Sequence, residues 1–176
     1  ASARRKFTIP AMEGGRSDEP LDVGTIELAM TKRVKVGDQA PGFEVAALGE
    51  GVVKLDDFRG KFVLLDFWAT WCGPCAAETP HLKSAFEAYR DDDRFAMIGL
   101  SLDQDKEAPR KYVDGNALGG RQAFLGNFGE AKLPNEYGVR GIPSIWLIGP
   151  DGRVIAKDLR GDAIKEAVGK ALSSAK

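Results

Sequence analysis

The sequence predicts an α/β protein built on a mixed sheet, and three observations carry that prediction. Lys61-Phe62-Val63-Leu64-Leu65-Asp66-Phe67-Trp68 is a nearly continuous apolar run, as expected for a strand buried on both faces of a parallel sheet. Apolar residues then recur at Leu82, Ala85, Phe86 and Tyr89 with helical spacing, and residues 94–102 read as a second buried strand. Near the end of the chain, residues 144–148 and 154–157 flank Pro150-Asp151-Gly152, a turn signal that marks a hairpin.

Taken in order, residues 1–33 read as a lead-in. Pro10, Gly14-Gly15, Ser17 and Pro20 break any pattern, and only Thr25-Ile26-Glu27-Leu28-Ala29-Met30 alternates like a strand. The segment suits the tail of a preceding domain or a strand docked on the main sheet, and residues 34–176 form the main domain. Residues 43–47 and Val52-Val53 make a hairpin around Gly49-Glu50-Gly51. The central strand is interrupted by Asp66, and the helix after it starts at Cys72-Gly73-Pro74-Cys75, with Pro80 predicting a kink. Residues 106–118 read as a helix, 122–125 as a short strand and 163–172 as a closing helix. There is no internal repeat and no low-complexity segment.

Composition excludes several classes. The 176 residues are 43% hydrophobic, enough for one packed core. Lys and Arg number 25 against 26 Asp and Glu, a net charge of -1 with the signs interspersed apart from Asp91-Asp92-Asp93, so nothing favours nucleic acid. No stretch approaches the ~18 apolar residues of a membrane helix, and the opening Ala1-Ser2-Ala3-Arg4-Arg5-Lys6 lacks the apolar run of a signal peptide. Because the chain starts at Ala rather than Met, a mature or excised piece without its targeting or anchoring segment stays open.

The 2 cysteines lie too close together to staple distant parts of a fold. A disulfide closing so small a loop restrains the unfolded chain little, so chemistry explains the pair better than stability does. A thiolate is the attacking species in disulfide exchange, and a useful cysteine needs a lowered pKa and an exposed sulfur. A helix N-terminus offers both to Cys72, while Cys75, one turn inward, is placed to resolve a mixed disulfide. Pro74 suits the first helical turn, where its missing N–H is no loss. Half a zinc site is the competing reading, but the remaining ligand candidate is His81 alone, and no metal is expected.

The segment Asp66-Phe67-Trp68-Ala69-Thr70-Trp71-Cys72-Gly73-Pro74-Cys75 resembles the active-site segment of thioredoxin-fold proteins. Tyr137-Gly138-Val139-Arg140-Gly141-Ile142-Pro143-Ser144 resembles the second signature of that fold, whose proline follows a cis peptide bond and faces the cysteines. Gly37-Asp38-Gln39-Ala40-Pro41-Gly42-Phe43, Leu55-Asp56-Asp57-Phe58-Arg59-Gly60-Lys61 and Cys75-Ala76-Ala77-Glu78-Thr79-Pro80 are similar to the TlpA/ResA-like thiol-disulfide oxidoreductases of the AhpC/TSA-type thioredoxin superfamily. The resemblance covers residues 34–174. It implies a thioredoxin-like fold, a central mixed β-sheet flanked by helices, with an N-terminal hairpin extension and a helix-strand insertion between Asp103 and Glu136.

It also implies an activity: reduction of disulfides in partner proteins, with Cys72 as nucleophile, Cys75 as resolving thiol and no cofactor beyond the redox-active Cys72–Cys75 disulfide. An upstream thiol reductant in the membrane, a monomeric state and an extracytoplasmic location follow from the same resemblance. Asp66 and Glu78 are the candidate proton-handling carboxylates. Thioredoxins carry an acid at the position of Asp66 and the TlpA/ResA group more often one at the position of Glu78; this chain has both. The lysine that accompanies the buried acid of thioredoxin has no counterpart in residues 95–102. Trp71, Gly73, Pro74, Ile142 and Pro143 are the expected substrate-facing residues, Ile142 offering a backbone edge for pairing. Trp68 is expected in the core, and His81 is assigned no role.

Three rival readings are weaker. Peroxidases that share the Ala40-Pro41-Gly42-Phe43 approach want Pro and Thr where this chain has Leu65 and Ala69. Copper carriers of the Sco type want three residues between the cysteines and a distant downstream His. A non-enzymatic module, whether for metal binding, redox sensing or interaction, is the third, and an interaction domain that merely keeps the fold would normally lose its cysteines or the proline of the second signature, whereas this chain keeps both.

Overall fold

The computed structural model describes residues 34–174. Strand β3 (Phe62–Trp68) sits at the centre because all of its side chains are buried, Leu64, Leu65 and Phe67 completely. Each such side chain contributes roughly 1.5–3 kcal/mol when removed from water. β1 (Glu44–Ala46) and β2 (Val52–Lys54) form an antiparallel hairpin. β4 (Phe95–Ser101), β5 (Arg121–Phe124), β6 (Ser144–Ile148) and β7 (Val154–Lys157) complete the main sheet, in the order β5-β4-β3-β6-β7. β3, β4 and β5 run parallel, while β6 and β7 are antiparallel to their neighbours, so the sheet is mixed as expected.

Alternation along β3 divides the core between the two faces of the sheet. Val63, Leu65 and Phe67 pack with Ile98, Leu100, Trp146 and Tyr137 on one face. Phe62 and Leu64 pack with Met97, Ile145 and Leu147 on the other, under Leu82 and Ala85 of α1 (Gly73–Tyr89) and Ile164, Val168 and Leu172 of α4 (Ala163–Ser174). Asp66, two residues after Leu64, belongs to this second face and is covered by α1.

α2 (Glu107–Asn116) follows β4; Asp105 Oδ1 starts it by accepting from the backbone N–H of Glu107 and Ala108 at 2.9 and 3.0 Å. α3 (Lys132–Tyr137) was not expected. It is too short to show periodicity beyond the single pair Leu133 and Tyr137, and Pro134 obscures that pair. Gly138 ends it in the left-handed region at φ 74°. A 3-10 turn at Leu55–Phe58 was not expected either, being a single turn of 4 residues; the remaining strands and helices agree with their sequence ranges to within one or two residues. The expected strand at residues 25–30, and the lead-in as a whole, lie outside the described residues. Among the described residues, no helix is long and apolar enough to cross a membrane.

Candidate active site

The topology brings together segments that are distant in the chain. β3 and β6 are antiparallel with Phe67 opposite Ser144, so the C-terminal end of β3, which leads into the cysteines, lies beside the start of β6, which follows Pro143. β4 runs parallel to β3 and ends alongside it, where the Leu102 N–H donates to the Trp68 carbonyl at 2.8 Å. This end of the sheet, at the point where the strand direction changes, is where α/β proteins place their sites.

Cys72 and Cys75 are joined by a disulfide. Cys72 is the N-cap of α1, with extended backbone at φ -90° and ψ 97°, and its Sγ accepts from the Cys75 backbone N–H at 3.1 Å. Pro74 lies in the first turn, as expected. The sequence reading called for an exposed sulfur, and here the structure differs: in the disulfide state both cysteines are only 5% exposed. They pack into the apolar cluster that holds Trp68 and Ala69, with Ile142 against it. Trp71 instead stands 59% exposed beside them, and Gly73 and Pro74 are exposed too. The Ile142–Pro143 peptide bond is cis.

The loop before the cysteines is held from β4. Asp103, at 2% exposure, accepts from the Thr70 backbone N–H at 3.1 Å, from Thr70 Oγ1 at 2.5 Å and from Ser101 Oγ at 2.8 Å. Sequence reasoning used Asp103 only as a boundary. A polar residue just after a buried strand and beside a redox motif is the signal that could have found it.

Asp66 is buried, and its Oδ1 has no hydrogen-bond partner in the structure. Burial pushes its carboxyl up to about 7, against the pull of the Arg160 guanidinium and with a further push from the Glu78 carboxylate. Arg160, in the loop between β7 and α4, therefore supplies the positive charge that β4 lacks. It also donates to the Pro143 carbonyl and, at 2.6 Å, to the Leu159 carbonyl. No sequence pattern marks an exposed arginine in a loop, and it was missed.

Glu78 is half-buried rather than freely solvated: its Oε2 accepts from the Gly161 backbone N–H at 2.7 Å. One turn further along α1, His81 Nδ1 lies 3.2 Å from Asp162 Oδ1. The segment 160–162 thus ties the first turns of α1 to the proline loop. Chemically, the site holds a two-electron sulfur couple at a helix N-terminus and an acid that can gain or lose a proton near neutral pH, on the end of the sheet where the cis Ile142–Pro143 bond leads into β6.

The family model for the AhpC/TSA family matches residues 36–157. Over 135 residues the chain is 33% identical to the thiol-disulfide oxidoreductase ResA of Bacillus thuringiensis subsp. konkukian, covering 77% of this chain and 75% of that protein. The thioredoxin domain of a thiol-disulfide oxidoreductase from Bacteroides vulgatus superposes with a TM-score of 0.73 at 34% identity, over 78% of this chain and 97% of that one. A thiol:disulfide interchange protein from Bacteroides sp. gives the same TM-score of 0.73 and 34% identity, over 81% and 93%. With its fold, its cysteine pair and these likenesses in agreement, the chain belongs to the AhpC/TSA family and takes its place there among the ResA-like thiol-disulfide oxidoreductases.

Proposed function

We propose that the chain works in the reducing direction, outside the cytoplasm, on disulfides of partner proteins. The observation that carries the role assignment is Cys72 at the N-cap of α1, its sulfur accepting the Cys75 N–H at 3.1 Å. The same N–H and the positive end of the helix stabilise a Cys72 thiolate once the disulfide is reduced. That thiolate attacks one sulfur of the substrate disulfide, the substrate S–S bond breaks, and the first substrate thiolate leaves. Cys75 then gives its proton to Asp66 and attacks Cys72 Sγ. The Cys72–Cys75 disulfide forms, the second substrate thiolate departs, and two electrons have passed to the substrate.

Trp71 provides an exposed aromatic anchor, and Ile142 with Pro143 provides the edge against which an extended substrate segment pairs. Gly73 and Pro74 leave the approach to Cys72 unobstructed by long side chains. Glu78 and Arg160 hold the 160–162 loop and the proline loop in place around Asp66. A thiol reductant upstream, in the membrane, regenerates the dithiol, and the protein acts as a monomer.

The test uses two variants and an accessible disulfide such as that of insulin. Cys72→Ser abolishes reduction, whereas Cys75→Ser accumulates a mixed disulfide on Cys72 that mass spectrometry detects. Undiminished turnover by Cys72→Ser, or trapping on Cys75 alone, would reverse the assignment.

A further inference from the structure

Asp66, Gly99 and Gln122 occupy one rung of the sheet: Asp66 on β3 is paired with Gly99 on β4, and Gly99 with Gln122 on β5. Because Gly99 has no side chain, the Gln122 amide reaches across β4; a Cβ on Gly99 would lie 2.0 Å from Gln122 Oε1. Two buried side-chain atoms of the described residues lack a hydrogen-bond partner, Asp66 Oδ1 and Gln122 Oε1. Both residues line the same cavity of ≈ 10 Å³, together with Trp68, Leu82, Met97 and Leu118. That is about the space one water molecule needs.

The orientation of the Gln122 amide is fixed by its other end, since Nε2 donates to the Gly119 carbonyl at 2.8 Å. Flipping the amide would set two carbonyl oxygens against each other, so Oε1 must face the cavity. Two acceptors then confront one small space. Water satisfies both by donating one hydrogen to each.

We propose that a single buried water bridges Asp66 Oδ1 and Gln122 Oε1, with Gln122 as the positioning residue that holds it. Through this water Asp66 carries both of its protonation states inside the fold. The proposal deepens the reading of Asp66 as proton acceptor and rests on it for its part in catalysis. With Asp66 ionised, the water donates to both oxygens. After Cys75 has passed its proton to the carboxylate, the new O–H donates to the water oxygen, and the water keeps its bond to Gln122. No proton is lost or gained beyond the one that Cys75 gives up. The other groups facing Asp66 are Arg160 from the loop before α4 and Glu78 from α1; β4 and β6 present Gly99 and Ile145, which carry no charge.

The sign of one shift tests the bridge. If water hydrates the carboxylate, Gln122→Leu removes its second anchor, and the Asp66 titration, followed by carboxyl ¹³C NMR in the oxidised protein, moves up by about one unit, tenfold in proton affinity. If Gln122 faces Asp66 without water, the same variant removes an unfavourable dipole, or an acceptor for the protonated acid, and the titration moves down. A downward shift or none overturns the bridge. Gly99→Ala, which obstructs the Gln122 reach, should move the titration in the same direction, and Gln122→Leu keeps the test open if Gly99→Ala fails to fold. A high-resolution crystal structure should show water density within hydrogen-bond distance of both oxygens; a dry contact between them contradicts the proposal. The reading of Asp66 as proton acceptor fails separately, if Asp66→Asn resolves mixed disulfides at the wild-type rate, and that result leaves the titration test intact.

Discussion

Asp66 opposes folding at neutral pH. Its carboxyl titrates at about 7 in the fold against 3.8 as the ordinary value, so between those limits the folded chain binds more protons than the unfolded one. Stability therefore falls as pH rises through that window and is level above it. Asp66→Asn removes this dependence. The variant should be more stable than the parent at pH 8, by up to the order of 4 kcal/mol, and the gain should vanish toward pH 4, as followed by urea unfolding across pH. Resolution of the mixed disulfide should slow by about a hundredfold while attack by Cys72 is unchanged, which stopped-flow with a model disulfide separates. If Glu78→Gln slowed resolution more, the proton role would pass to Glu78.

Cys72, Cys75 and Asp66 stood out as candidates because each departs from its local pattern, a close thiol pair and an acid inside an apolar strand, whereas Glu78, an acid where helices ordinarily carry one, stood out only through the family resemblance. Gln122 and Arg160 were not, because what they do is set by strand register and loop path. Gln122 looks like any polar residue of a short strand until Gly99 is seen between it and Asp66.

At the scale of elements, the passage from β3 to α1 depends on Asp103 as much as on its own sequence. Asp103→Ala leaves the buried Ser101 hydroxyl and the Thr70 N–H without their acceptor, each worth about 1–3 kcal/mol. A loss of roughly 3 kcal/mol is expected in chemical denaturation, whereas Thr70→Ala, which removes one hydroxyl and leaves its N–H bonded, should lose about 1 kcal/mol. Equal losses from the two substitutions would mean that Asp103 is not the centre of this network. The order and type of the long elements were readable from apolar periodicity. α3 was not, since a helix of 6 residues has no second turn in which a period could show.

Within the main sheet, burial is graded from the central strands outward. β3 and β4 are nearly all buried and lie inside the sheet. The outer side of β5 is met by the Leu48 N–H, which donates to the Gln122 carbonyl at 2.8 Å. Beside β7, the Gly37 N–H donates to the Val154 carbonyl at 2.8 Å, and the Val154 N–H donates to the Asp38 carbonyl at 2.9 Å. Such covering blunts edges that would otherwise pair with other chains. Hydrogen exchange should find the β3 and β4 amides opening only with global unfolding, and those of β1, β2 and β7 opening earlier. Uniform protection across all strands would contradict this order.

The antiparallel meeting of β3 and β6 also governs when the enzyme becomes an enzyme. Its two thiols are neighbours in every conformation, including that of a nascent chain on the ribosome. The cis Ile142–Pro143 segment comes beside the end of β3 only once β6 has joined the sheet. A chain in which β6 has not yet paired with β3 therefore carries the two cysteines without that segment beside them. The arrangement around the cysteines is thus a property of the assembled sheet and not of the Cys72–Cys75 segment by itself.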